Sequence, residues 1–170
     1  MLKRLVENRP RLRLRPSAPG QPEVTVGWEA LDCCAREAMP LLAREHVETE
    51  PDVRLPHDPD RDRLLSWGAM GALEVWTLRA DMALIGYASV LFMPHLYSRE
   101  VSMANVHTPY VMPEWRLGRL GLDMLKALFA SLKERGVTIV DIDVDVDNRL
   151  NVALDRMGFG RPEVRRRKWL

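Results

Sequence analysis

Tyr110-Val-Met-Pro-Glu-Trp-Arg-Leu-Gly-Arg-Leu-Gly121 is the stretch on which the reading of this chain turns. An apolar run ends at Pro113, a short polar connection follows, and a basic turn containing glycine leads into a helix expected to run to about Arg135. From Leu117 the apolar positions are Leu117, Leu120, Met124, Leu125, Leu128, Phe129 and Leu132, the i, i+3, i+4, i+7 spacing of an amphipathic helix. No Ser, Thr, Asp or Asn stands from Trp115 to Gly118, so the first N–H groups of this helix lack a side-chain cap. With Arg116 and Arg119 beside them, those groups form a mouth for an anion, and phosphate is the usual one.

Outward from this stretch the rest of the chain takes shape. A strand from about Val101 to Met112 enters it. Before that, Ala72–Leu78 and Ala83–Phe92 read as two strands joined by a tight turn at Arg79-Ala-Asp-Met82. The prolines at 51, 56 and 59 mark a loop from His46 to Asp62, followed by a short helix around Arg61 to Met70. From Trp28 to about Glu48, the apolar series Leu31, Ala35, Ala38, Met39, Leu42 and Ala43 is helical, with Pro40 expected to split or kink it. Beyond the long helix, Gly136 stands at the C-cap. A strand follows over Val137–Val146, then a second amphipathic segment from Leu150 to Met157, and a last strand over Val164–Leu170. Only the strand–helix–strand unit over 101–146 needs a parallel crossover. The fold class is therefore α/β, with a mixed, mostly antiparallel central sheet flanked by helices.

The 170 residues suit one domain with a proper core, and 46% hydrophobic with 29% charged residues is ordinary for a soluble globular protein. Residues 1–22 read as a basic arm, in which Lys3, Arg4, Arg9, Arg11, Arg13 and Arg15 face only Glu7 and four prolines interrupt regular structure. Within the arm, Arg-Leu-Arg-Leu-Arg suits a short edge strand, and a solvated tail or an arm of a homodimer is the expected role. Residues 23–170 form the single domain. A net charge of +1 and the absence of aromatics among the arm's arginines argue against nucleic acid as a partner. No apolar run suits a bilayer and no signal-peptide core follows the basic start, which argues against a membrane. Cys33 and Cys34 are adjacent and suggest no disulfide framework, so a reduced, cytoplasmic setting is expected.

Asp141, Asp143, Asp145 and Asp147 alternate with Ile142, Val144 and Val146, which in a strand puts four carboxylates on one face about 6.6–6.8 Å apart. Burying them unpaired would cost too much, so this face, at least toward Asp147, must meet water, a cation or a site. An EF-hand fails, because Asn148 stands where Gly is needed and Leu154 where Glu is needed. A metal-binding Asp-x-Asp lacks a matching His or Glu cluster. A solvated face, or one paired with Arg165 to Arg167, and a carboxylate-lined cleft for a cationic amine both stay open. The four histidines, His46, His57, His95 and His107, show no metal-ligand spacing, so no metal is expected. His107 on the entering strand, His46 beside Glu45 and Glu48, and His95 are the candidate bases. No Cys or Ser stands in a nucleophile setting. The five tryptophans read as packing.

These residues resemble the GNAT acyltransferases. The family signature is a strand ending in Val-x-Pro, then Arg or Gln, two residues, Gly, one residue, and Gly or Ala. Val111, Pro113, Arg116 and Gly121 match it, while Arg119 stands where Gly is usual and Gly118 one place earlier. This Arg-x-Gly-Arg-x-Gly form is similar to a variant found in GNAT proteins of phages and prophages. Asn148 and the closing Met157-Gly158-Phe159 also resemble the family's later motif. The resemblance covers roughly residues 24–170. It implies an N-acyltransferase that uses acetyl-CoA or another acyl-CoA as co-substrate and an amine acceptor whose identity the sequence leaves open. It puts Arg116, Leu117, Gly118, Arg119, Leu120 and Gly121 around the CoA phosphates, with Asn148 as a further contact. Tyr110, Val111 and Met112 become the backbone rail for pantetheine, where an N–H polarises the thioester carbonyl. The family's usual acid is a Tyr at the position of Leu154, so Tyr97 and Tyr110 are the substitutes by location. His107 and Asp147 complete the catalytic candidates, and attack is expected to be direct. A GNAT-like binding module without catalysis and a nucleic-acid-associated protein using the arm are the alternatives.

Overall fold

In the computed structural model, residues 11–14, 22–49, 56–116, 118–144 and 148–160 are described. Six strands form one sheet in sequence order: β1 (Leu12–Leu14), β2 (Val24–Glu29), β3 (Leu73–Ala80), β4 (Ala83–Pro94), β5 (Ser102–Val111) and β6 (Ile139–Ile142). Every neighbouring pair is antiparallel except β5 with β6, which is parallel. The helices are α1 (Leu31–Thr49), α2 (Arg61–Ala69), α3 (Leu120–Glu134) and α4 (Leu150–Arg156), and α3 is the crossover between the parallel strands. The expected mixed, mostly antiparallel sheet flanked by helices is therefore present.

The sheet is covered on both faces. On one, Trp76, Leu78, Val90 and Val106 pack under Met124, Leu125, Leu128 and Leu132 of α3. On the other, Leu73, Val75, Tyr87 and Tyr110 pack under Leu31, Cys34, Ala35, Ala38 and Leu41 of α1. All eight residues of β3 are buried, as befits a central strand with helices on either side. Among the described residues no helix is long and apolar enough to cross a membrane.

Several local expectations are corrected. Val24 to Glu29 is a strand, so Trp28 belongs to β2, and α1 starts at Leu31, with the N–H groups of Cys33 and Cys34 both reaching Ala30 O. Helix α1 runs unbroken past Pro40, which is exposed and whose missing N–H costs a single bond to Arg36 O. The Arg-Leu alternation in the arm does form an edge strand, with Leu12 opposite Val26. The helix expected from Leu117 opens at Leu120 instead, after a 3₁₀ turn at Pro113–Trp115. Gly118, with φ +94°, lies in the left-handed region and cannot belong to a right-handed helix. β6 ends at Ile142, four residues before the expected end of the carboxylate strand at Val146. The strand expected over 164–170 lies outside the described residues.

The ladder between β4 and β5 carries one irregularity. It pairs Tyr87 with Tyr110 but Ser89 with His107, two steps on β4 against three on β5. The extra residue sits at Thr108–Pro109, a β-bulge at the place where proline, lacking an N–H, is tolerated in a strand.

Candidate active site

β6 follows β5 only from Met103 opposite Ile139 to Val106 opposite Ile142. The bond from Asp143 N–H to Val106 O, at 3.1 Å, closes that ladder. From His107 to Val111, β5 is held by β4 alone, and no strand among the described residues covers its other edge. Met112 N–H donates to Ile85 O at 2.9 Å, so by alternation the Val111 N–H faces away from β4. The edge therefore offers backbone groups to a ligand that can lie along it.

At the end of this edge stands the mouth of α3. Arg119 occupies the N-cap position and makes no side-chain cap, so the first N–H groups of the helix have no partner from that side chain. Gly118 turns the chain with its positive φ, and a Cβ there would meet nothing within 4 Å. Gly121 lies against β5, where a Cβ would come 3.5 Å from Val111 Cγ2. Val111 and Gly121 thus lie close together, with Gly118, Arg119 and Leu120 forming the turn that leads into the helix. Arg116 reaches back from the turn to the end of β5 and to α1. Its Nε donates to Val111 O at 2.7 Å, its Nη2 pairs with Glu48 at 2.6 Å, and its guanidinium lies 5.2 Å from the Tyr110 ring.

Glu45 and Glu48 come from the last turns of α1, three residues apart and so on one side of the helix. The Tyr110 hydroxyl donates to Glu48 at 3.1 Å, and the Tyr87 hydroxyl donates to Glu45. Glu45 and Tyr87 are each only 5% exposed. Burial, reinforced by the neighbouring carboxylates, raises both phenols, Tyr87 well above its ordinary range. Both serve as hydrogen-bond donors to these carboxylates.

Beside this group, a cleft of about 250 Å³ opens between α1, α2 and the sheet. Leu31, Met39, Leu42, Leu64, Trp67 and Leu91 give it apolar walls, and Tyr87, Ser89 and His107 bring polar atoms. His107 lies opposite Ser89, at the first residue of β5 beyond the β6 ladder.

The sequence matches the acetyltransferase (GNAT) family over residues 37–159. The chain belongs to that family. Its members are N-acetyltransferases, and this is the class of activity the chain carries. No curated protein sequence matches the chain. Among solved structures it is similar to a GCN5-related N-acetyltransferase from Ralstonia eutropha, with 19% identity and a TM-score of 0.71 over 86% of this chain and 98% of that one. An aminoglycoside acetyltransferase from an uncultured soil metagenomic sample has 15% identity and a TM-score of 0.69 over 86% and 96%. A ribosomal-protein-alanine N-acetyltransferase from Brucella melitensis biovar Abortus has 17% identity and a TM-score of 0.65 over 86% and 99%. At such identities these likenesses speak for the GNAT fold alone.

Within the GNAT domain the expected site residues fall into distinct places. Tyr110, Val111 and Met112 form the end of β5, and His107 lines the cleft. Tyr97 is 89% exposed in the loop after β4, its ring against His95, and does not line the cleft. Asn148 stands just before α4, its Oδ1 accepting from Leu150 N–H at 2.9 Å. Leu154, at the position of the family's usual acid, is buried in the core. Asp141 pairs in register with Asn105, which by alternation shares the α1 side of the sheet with His107. Asp143 lies past the end of β6, and Leu117, Asp145 and Asp147 lie outside the described residues.

Sequence reasoning passes over Tyr87, Ser89 and the part of Trp67. Tyr87 and Ser89 sit at period two in a strand that reads only as apolar. In the sequence Glu45 and Glu48 stand out as neighbours of His46, but they, three apart on the side of Leu41, carry the contacts to the tyrosines. His46 instead lies beside His57, ring centroids 5.3 Å apart.

Proposed function

We propose that this GNAT domain transfers the acetyl group of acetyl-CoA to a primary amine by direct attack. The observation that carries this reading is the β5 edge from His107 to Val111, which no strand among the described residues covers and which runs straight to a helix mouth without a side-chain cap. The two features fit the two parts of one ligand. Backbone N–H groups at Arg119, Leu120 and Gly121, aided by the helix dipole and the Arg119 charge, suit the pyrophosphate. The edge suits the amides of pantetheine, which pair with it as an added strand would.

In this reading the thioester carbonyl meets an N–H of the open edge, Val111 being the candidate, which stabilises the developing oxyanion. The acceptor comes from the α1 face. Its nitrogen attacks the carbonyl carbon, the C–N bond forms, the C–S bond breaks, and CoA leaves as a thiolate that takes up a proton. The amine's proton passes to His107, which lines the cleft at the start of the open edge. Glu45, Glu48 and the two phenols fix the wall beside it.

Calorimetric binding of acetyl-CoA tests the co-substrate. Gly118→Ala introduces a side chain into open space but at φ +94°, a conformation costing about 1–2 kcal/mol. Its expected effect is a Kd raised about 5- to 30-fold with the fold intact. Wild-type protein that gains no thermal stability from acetyl-CoA well above micromolar concentration would refute the reading.

A further inference from the structure

We infer that the acceptor is a small primary amine on a compact apolar body, of the arylalkylamine kind, seated in the cleft between α1 and α2 with its nitrogen at His107. This rests on the acetyl-transfer reading above and goes further, to the chemistry of the acceptor. Four observations converge on it.

The first is the lining. Most of the residues around the cleft present aliphatic or indole groups, and none of them carries a carboxylate or a basic group other than His107. A polyamine or an aminoglycoside carries several ammonium groups, and each would lose its water there without finding a carboxylate. A single amine needs only the polar end formed by Tyr87, Ser89 and His107.

The second is size. At about 250 Å³ the cleft is smaller than the roughly 300–1,000 Å³ that encloses a drug-sized ligand, which suits one ring and a short chain.

The third concerns α2. None of its residues is buried, although Leu64, Leu65 and Trp67 lie in its middle and Trp67 is 37% exposed. A helix ordinarily hides its apolar side against the core. Leu64 and Leu65 are half-buried against the core under α1, while Trp67 stays exposed at the cleft, where an apolar occupant would complete its burial and an indole offers a ring a stacking partner.

The fourth is continuity. His107 is at once a wall of the cleft and the first residue of the open β5 edge. An amine held in the cleft therefore reaches the reacting carbonyl without crossing the sheet.

The test is a panel of acceptors assayed by release of the CoA thiol: 2-phenylethylamine, tryptamine, spermidine, kanamycin and a short peptide with a free N-terminus. The expected result is a kcat/KM for the two arylalkylamines at least 100-fold above that for spermidine, kanamycin or the peptide. Trp67→Ala should raise the KM for 2-phenylethylamine at least 10-fold, Trp67→Phe should restore most of it, and the Kd for acetyl-CoA should stay unchanged in both. Equal or better use of spermidine, kanamycin or the peptide, no turnover of any amine by protein that binds acetyl-CoA, or an unchanged KM in Trp67→Ala would overturn the inference while leaving the CoA reading in place. Should acetyl-CoA fail to bind, calorimetry of 2-phenylethylamine with the protein alone still decides. Binding weakened by Trp67→Ala supports the cleft assignment, and no binding removes it.

Discussion

Helix α1 covers two groups of carboxylates, and they are built in opposite ways. Under its first half, Glu29 and Glu37 share one guanidinium. Arg79 reaches Glu29 at 2.6 and 2.9 Å and Glu37 at 3.0 Å, while the Thr77 hydroxyl adds a bond to Glu29 at 2.6 Å. Under its last turns, Glu45 and Glu48 meet phenols, with Arg116 joining Glu48 only at the exposed rim. A guanidinium fork fixes its partners geometrically and cancels their charge. A phenol orients a carboxylate and leaves its charge. The first group suits a clasp between β2, β3 and α1, and the second suits a support that holds the two phenols beside the cleft.

The largest effect expected from breaking the contrast is on the clasp. Arg79→Ala leaves Glu29, which is 7% exposed, with only Thr77 and the partly exposed Arg11 as partners and should cost about 3 kcal/mol in urea denaturation. Tyr87→Phe removes one donor from Glu45 and should cost about 1–3 kcal/mol. Equal losses would show that the two groups do the same work.

The pH dependence separates them further. Burial alone would raise Glu29, but hydrogen bonds from Arg79 and Thr77 more than offset it, and Arg79 likewise lowers Glu37. Folded-state values below the unfolded ones mean stability that is present above the ordinary carboxylate pKa of about 4.3 and lost as pH falls through the lowered values. The phenols run the other way. Tyr87 and Tyr110 are raised chiefly by burial, so their contribution is intact below the ordinary tyrosine pKa of about 10 and declines above it. Cys34, pushed up to about 12 mainly by burial, adds to that alkaline limb. Urea midpoints across pH should therefore show a shallower acid limb in Arg79→Met and a shallower alkaline limb in Tyr87→Phe. Loss of the acid limb from Tyr87→Phe would reverse the assignment. The smallest change is expected in Tyr110→Phe, about 1 kcal/mol or less, because Arg116 still holds Glu48.

Much of this was legible in the sequence where one periodicity ruled. Met124, Leu125, Leu128 and Leu132 predicted α3, and Arg79 to Met82 predicted the hairpin between β3 and β4. β2 was missed although Val24, Val26 and Trp28 alternate with Thr25, Gly27 and Glu29, because Trp28 with Leu31 and Ala35 also fits the helical spacing that follows. The open helix mouth was readable from the absence of a capping residue, since capping is a local matter. The turning of Arg116 toward Glu48 was not, because that pair spans 68 residues and depends on how α1 lies on the sheet. The cleft was illegible for the same reason, its walls coming from five separate elements.

The bulge at Thr108–Pro109 has a consequence in counting. In an unbroken strand His107 and Tyr110, an odd number apart, would point to opposite sides. With one extra residue between them both face α1, and Val111 turns to the α3 side beside Gly121. The parity of a single strand thus decides which side chains share a chamber. A one-residue deletion there would remove the bulge and keep the faces, because Tyr110 would then stand two residues from His107 in an unbroken strand. Straightening the strand at its present length would instead exchange Tyr110 and Val111 between the two halves of the molecule.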